Sequence, residues 1–267
     1  MAYRLVIVGA GRLGSALAEG LLASGYPPGD LSLVQHTSAT REQLAQRFPG
    51  VDVAATFEAA HVGPDTGVVL AVKPDYAESV ARELGGYGVT RVLSVVAGLS
   101  TARLEAAFPG PVAVIRSMPN TPILIRKGVS AIAGGAHVTK ADLEWAESIL
   151  GAVGTVVRVT ERQLEAVTGL SGPMPAYLYL VIEALIEAGV HQGLERSVSR
   201  DLVVGTFEGS AALLAASDDG PEELRAQVTS PGGSTAAGLR VLEGRAVRAA
   251  FLDAVAAAAE RGRQMGR

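Results

Sequence analysis

Five short apolar runs, at residues 3–8, 31–34, 67–72, 92–96 and 112–115, punctuate the first half of the chain. The stretches between them, 13–23, 40–48, 76–84 and 101–108, read as helices. A strand that is apolar along its whole length must be covered on both faces, and alternation with helices supplies that cover in a parallel sheet. Residues 128–133 and 155–159 add two strand candidates around a helix at 140–150. Near residue 160 the pattern changes. Residues 175–193 are apolar around most of a helical circumference, which requires burial on several sides. Helical patterns continue at 197–215, 222–228, 235–242 and 247–261. The expected fold is α/β over residues 1–160, followed by an all-helical domain over 161–267 that needs a partner subunit.

Composition narrows the chemistry. A formal net charge of -4 argues against a phosphate-backbone binder, so no nucleic-acid partner is expected. The chain has no cysteine, which excludes disulfides and thiol catalysis. Its four histidines (His36, His61, His137, His191) lack metal-ligand spacing, so no metal is expected. No apolar run approaches the length of a membrane span, and the N-terminus enters a strand-like segment directly; a cytoplasmic protein with no membrane partner is expected. The lysines are Lys73, Lys127 and Lys140, and none follows.

Gly9-Ala10-Gly11-Arg12-Leu13-Gly14 ends the first strand and opens a helix, the context in which G-x-G-x-x-G binds a dinucleotide. Gly9 permits the tight turn, Gly11 lets the backbone approach a pyrophosphate, and Gly14 allows close helix–strand packing. Unpaired N–H groups at the helix start hold the anion. The first domain therefore reads as Rossmann-type. An NAD enzyme places Asp or Glu about 20 residues on, for the ribose 2′-hydroxyl. Here the second strand ends in Gln35-His36-Thr37-Ser38, with Arg41 close behind. Hydroxyls and a cation there suit a 2′-phosphate, which favours NADP(H), with NAD(H) as the alternative.

A dehydrogenase that oxidises an alcohol needs a general base, commonly a lysine on the long helix. No lysine lies there. Reduction of a cyclic imine asks less of the protein, because the iminium carbon accepts hydride once it is oriented near the nicotinamide. A substrate carboxylate is a natural handle, and residues 227–238, Q-V-T-S-P-G-G-S-T-A-A-G, offer a cradle of backbone amides and hydroxyls for one. A tight interhelical turn with a Ser or Thr cap is the structural alternative.

Four segments together resemble the 1-pyrroline-5-carboxylate reductase family: V-L-A-V-K-P (69–74), M-P-N-T-P (118–122), L-S-G-P-M-P-A-Y (170–177) and V-T-S-P-G-G-S-T (228–235). They occur in the family's order over nearly the whole chain. The resemblance implies an N-terminal Rossmann dinucleotide-binding domain and a C-terminal helical dimerisation domain. It implies NAD(P)H-dependent reduction of a cyclic imino acid to L-proline, by homodimers that can assemble into larger rings. In this family the loop at 228–235 holds the substrate carboxylate, which assigns Ser230, Gly232, Gly233 and Ser234 to that role. Thr235 matches the threonine that bonds the ring nitrogen and is the catalytic candidate. Ala71, Val72, Ala97 and Asn120 are expected around the cofactor, and Lys73 either contacts the cofactor ribose or only caps the strand. Glu183 and Glu187 read as partners for arginines. One departure stands out: the family has Ser-Gly where this chain has Pro173-Met174. A reductase of another cyclic imine, or a catalytically silent regulatory paralogue, are the alternatives this raises.

Overall fold

The structure, a computed structural model, describes residues 4–63 and 65–265. Tyr3, expected to open the first strand, lies outside them. The described strands are β1 (Leu5–Val8), β2 (Leu31–Val34), β3 (Asp52–Ala54), β4 (Gly67–Leu70), β5 (Arg91–Ser94), β6 (Ala113–Pro119), β7 (Gly128–Gly134) and β8 (Gly154–Arg158). They form one sheet in the order β3-β2-β1-β4-β5-β6-β7-β8. The chain runs outward from β1 on both sides, so the strand order reverses between β1 and β4, where ligands of such sheets bind.

Alternate residues of each strand face opposite cores. Leu5, Ile7, Leu33, Val69, Leu93 and Ile115 share one core with Leu17 and Leu21 of α1 (Arg12–Ala23), Leu44 of α2 (Ser38–Arg47) and Ile149 of α5 (Lys140–Gly151). Val6, Val8, Val68, Leu70, Val92 and Val114 pack with Ala77, Ala81 and Leu84 of α3 (Pro74–Gly86) and Leu104 of α4 (Thr101–Glu105). Burial on both faces is why the strands carry no polar alternation.

Two features depart from the expected sheet. β7 runs antiparallel to β6. Only residues 120–127 join them, containing the 3-10 turn Thr121–Ile125, and a parallel crossover needs a dozen or more residues. β3 is an extra edge strand whose three residues are all half-buried, too short to carry a periodic signal.

The α/β unit also extends past residue 160. Thr160 caps α6 (Glu161–Leu170): its hydroxyl accepts from Gln163 N, and Gln163 Oε1 accepts from Thr160 N at 2.8 Å. Leu164 then packs with Ala131 and Ala133 of β7. The chain divides into two compact units, one running to Pro173 and including the residues from Ala257 onward, the other spanning Met174–Ala256. α6 groups with the sheet by compactness, because it packs on β7.

The start of α6 is pinned by Glu161, whose carboxylate accepts from Thr101 N (2.7 Å), Thr101 Oγ1 (2.5 Å) and Arg116 Nη1 (3.3 Å). Burial raises the Glu161 pKa, but these hydrogen bonds and the Arg116 charge outweigh it and hold the carboxyl below its ordinary range. A carboxylate depressed on folding contributes stability above its unfolded pKa, and the contribution fades as pH falls through the folded value. Glu161→Gln is therefore expected to destabilise at neutral pH. Its stability gap to the parent, read from urea melts, narrows on acidification below about pH 4.

The second unit holds α7 (Met174–His191), α8 (Arg196–Ala216), α9 (Pro221–Gln227), α10 (Ser234–Gly244) and the part of α11 (Val247–Met265) before Ala257. α7 and α8 cross closely where Gly189 meets Ser199, whose hydroxyl donates to Ile186 O at 2.9 Å. No residue of α7 is buried within the chain. Tyr179 and Leu180 of α7 are 63% and 67% exposed, and Leu252 of α11 73%. Residues 161–191 are long and apolar enough, by length and composition, to cross a membrane. That corrects the expectation that no run approaches such a length: Glu183 and Glu187 do not break the apolar stretch enough to exclude it.

Candidate active site

The first cradle is built where β1 ends. Gly9 has φ +95°, and a Cβ there would stand 2.6 Å from Ala71 O at the end of β4. Gly14 sits so close to Gly9 O that a Cβ would collide with it. Both positions therefore accept only glycine. Gly11 differs. It caps α1 without a side-chain hydrogen bond, and a Cβ there would meet nothing within 4 Å. The turn is thus held open above the first N–H groups of a twelve-residue helix, as a pyrophosphate requires. The Ala10 side chain is buried in the core, so only its backbone can serve a ligand.

Two clefts flank this turn. One, about 240 Å³, is lined by Val8, Gly9, Gln35, His36, Phe57 and Val72 among others, and suits an adenosine half. The other, about 300 Å³, is lined by Arg12, Leu13, Ala97, Met118, Asn120 and Leu124 among others. Its mixed walls fit a nicotinamide, and exposed Ala97 offers no bulk against it. Thr56 and Phe57, which also line the first cleft, follow the unexpected β3 and were not among the expected site residues.

At the end of β2 the expected 2′-phosphate group is partly committed. Arg41 Nη1 donates to Gln35 O (3.0 Å) and His36 O (2.7 Å), bracing the loop from beneath. Thr37 Oγ1 lies 3.3 Å from His36 Nε2. Ser38 Oγ donates to Glu42 Oε1 at 3.2 Å, so a carboxylate reaches this group after all. Lys73 is exposed and caps α3 through its backbone alone. Asn120 is engaged internally: Oδ1 accepts from Val129 N (2.8 Å), and Nδ2 donates to Ser171 O and Oγ, both at 3.4 Å. Its amide ties the β6–β7 turn to the end of α6 while Asn120 also lines the second cleft.

The second cradle lies in the helical unit. Gly232 has φ +73°, and Gly233 N donates to Ser230 O at 3.1 Å. A Cβ on Gly233 would stand 2.5 Å from Ser230 Oγ, so the serine hydroxyl lies tight against the turn. Gly233 then caps α10 with no side-chain hydrogen bond. The first-turn N–H groups from Ser234 onward therefore point out of the helix unclaimed, and the positive dipole end reinforces them. Ser230, Ser234 and Thr235 are exposed, leaving their hydroxyls free to reach a ligand. Pro173 ends the first unit and Met174 opens α7, so the Pro-Met replacement falls at the junction.

The whole-chain comparisons agree with one another. The family profile described as pyrroline-5-carboxylate reductase dimerisation matches residues 161–265, and one described as NADP oxidoreductase, coenzyme F420-dependent, matches residues 4–98. Pyrroline-5-carboxylate reductase of Corynebacterium melassecola is 37% identical over 268 residues, covering 98% of either chain. The solved structure of a pyrroline-5-carboxylate reductase from Coxiella burnetii superposes with a TM-score of 0.92 at 31% identity, over 100% of both chains. Plasmodium falciparum pyrroline carboxylate reductase with NADP bound gives 0.83 at 31% identity, over 98% of each.

Proposed function

The chain belongs to the pyrroline-5-carboxylate reductase family, and from that premise we propose that it reduces 1-pyrroline-5-carboxylate to L-proline with NADPH as the preferred donor. NADH is the alternative donor. The observation that carries this reading is the pairing of two anion cradles in one chain: the open Gly11 turn on α1 and the Gly233 turn on α10.

When bound, the reduced nicotinamide supplies the hydride that the imine carbon takes up. Gly9, Gly11, Gly14 and the first amides of α1 hold the pyrophosphate, while Ala71, Val72 and Ala97 shape the clefts on either side. Ser230, Gly232, Gly233 and Ser234 bind the substrate carboxylate. The Thr235 hydroxyl orients the ring nitrogen, so that the C=N bond gains one hydride at carbon and keeps one proton at nitrogen. No strong acid is required, because the iminium brings its proton with it.

His36, Thr37, Ser38 and Arg41 form the end of the cofactor site that meets a 2′-phosphate. Arg41→Ala is expected to weaken NADPH by roughly tenfold and NADH by less, since a charge-assisted hydrogen bond to the phosphate is worth about 1.5–3 kcal/mol. Fluorescence titration of both nucleotides reads the ratio. Equal weakening would mean that Arg41 only braces the loop carbonyls.

The exposed apolar surface of α7 is the reading's dimer face, covered by a second subunit rather than by lipid, and such dimers can close into larger rings. The dimerisation profile over residues 161–265 supports this, and the cytoplasm is where the enzyme is placed. Leu180→Glu is expected to shift sedimentation equilibrium from dimer toward monomer, because a charge replaces a side chain that is 67% exposed in the single chain. A dimer of undiminished strength would remove α7 from the interface.

The activity itself is tested by NADPH oxidation with fresh 1-pyrroline-5-carboxylate against its six-membered analogue. The expected preference in kcat/KM is roughly tenfold or more, the scale of one methylene in a fitted pocket. Preference for the larger ring would assign Pro173-Met174 to a different substrate, and no oxidation despite tight NADPH binding would indicate a silent paralogue.

A further inference from the structure

Ser32 is the one polar side chain in the apolar strands β1, β2 and β4, and it is fully buried. A buried hydroxyl needs a partner. It finds Asp52, its register partner on β3: Ser32 Oγ donates to Asp52 Oδ2 at 2.7 Å. The same carboxylate oxygen lies 3.5 Å from Nε2 of His61, a buried histidine that ends the 3-10 turn Ala59–His61. The imine chemistry uses none of these three residues.

His61 Nδ1 lies 2.8 Å from Glu58 N and 3.1 Å from Glu58 O. A main-chain N–H can only donate, so the neutral ring accepts there on Nδ1 and carries its proton on Nε2, facing Asp52. A carboxylate anchored on β3 thus orients the imidazole, and the imidazole holds the backbone at Glu58. The ring face has a second contact. It stacks on Phe57, with centroids 5.5 Å apart and planes 26° from parallel, and Phe57 also meets Tyr87 at 5.4 Å. Ala55, Thr56 and Phe57 in turn form part of the wall of the 240 Å³ cleft beside Gly9 and Gln35, which His61 itself does not line. A leucine at 61 could pack on Phe57 with no polar atoms to satisfy, so filling the core does not by itself call for a histidine.

We infer that His61 is a positioning residue for the dinucleotide site: tethered through Asp52 to Ser32 of the sheet, it fixes the 55–57 wall against the adenosine half of the cofactor. The inference rests on the proposed dinucleotide reading and deepens it. His61 acts through the Glu58 backbone and the Phe57 ring, so its influence ends at the adenosine side and leaves the nicotinamide cleft and the Gly233 turn untouched.

Calorimetric titration of the full-length protein with NADPH and with 2′,5′-ADP, which carries the adenosine half alone, tests this beside a thermal melt. His61→Leu keeps apolar bulk against Phe57 and removes both polar contacts. It is expected to weaken both ligands by the same factor, about tenfold, with kcat at saturating NADPH unchanged. His61→Asn, whose amide can still accept from Glu58 N, is expected to regain most of that loss. Asp52→Ala, at a half-buried position on the edge strand, removes the tether without touching the turn and is expected to weaken both ligands about threefold. It carries the test should His61→Leu fail to fold. A lowered melting temperature with both affinities unchanged would make His61 merely structural and overturn the inference. So would a loss seen for NADPH but not for 2′,5′-ADP, or a His61→Asn protein no better than His61→Leu. A parent protein that binds neither ligand would overturn the dinucleotide reading itself, and this inference with it.

Discussion

Gly11→Val is expected to leave the chain folded and to remove its dinucleotide binding. The backbone at Gly11 is extended, with φ -73° and ψ -154°, and its negative φ does not call for glycine. A Cβ there meets no protein atom within 4 Å, so the side chain enters open space. The space it enters is the space the pyrophosphate needs. NADPH affinity is expected to fall at least a hundredfold, a loss of about 2.7 kcal/mol, with the melting temperature of the ligand-free protein nearly unchanged. Gly14→Ala has a different signature, because its Cβ would strike Gly9 O within the turn itself. There, stability and affinity fall together. Calorimetric titration beside a thermal melt separates the two cases, and a Gly11→Val protein that still bound NADPH well would move the cofactor elsewhere.

Thr235→Ala is expected to lower kcat by roughly one to two orders of magnitude, about 1.4–2.7 kcal/mol of barrier, with NADPH affinity unchanged. Thr235 is the second residue of α10, where alanine is well tolerated and its N–H remains available to the carboxylate. Only the hydroxyl is lost. Substrate KM should therefore change little while turnover drops, and Thr235→Ser should restore most of it. A kcat equal to the parent's would take Thr235 out of the reaction, and a rise in KM alone would make it part of the carboxylate cradle.

Signals confined to one turn of chain were legible in the sequence. The glycines at 9 and 14 are dictated by backbone sterics, and β2 falls on residues 31–34 as its apolar run indicates. The turn before α10 was legible for a similar reason, since Gly232 takes φ +73°. What depended on neighbours distant in sequence was not. Asn120 could be read as a cofactor contact, but whether its amide was free turned on Val129 and Ser171. Arg41 and Ser38 looked like unattached phosphate ligands until the loop carbonyls and Glu42 were found beside them. β3 was too brief to register, and the direction of β7 was set by the short link before it. α6 carried a capping signal, T-x-x-Q at 160–163, but the loss of strand pattern drew attention to a domain boundary instead.

A crystal structure with NADPH and L-proline, an unreactive product carboxylate, tests the central claim most directly. The prediction is that both carboxylate oxygens lie about 3 Å from main-chain nitrogens between Gly233 and Thr235, with the pyrrolidine nitrogen at the Thr235 hydroxyl. Proline bound with its carboxylate on an arginine, away from the start of α10, would contradict it.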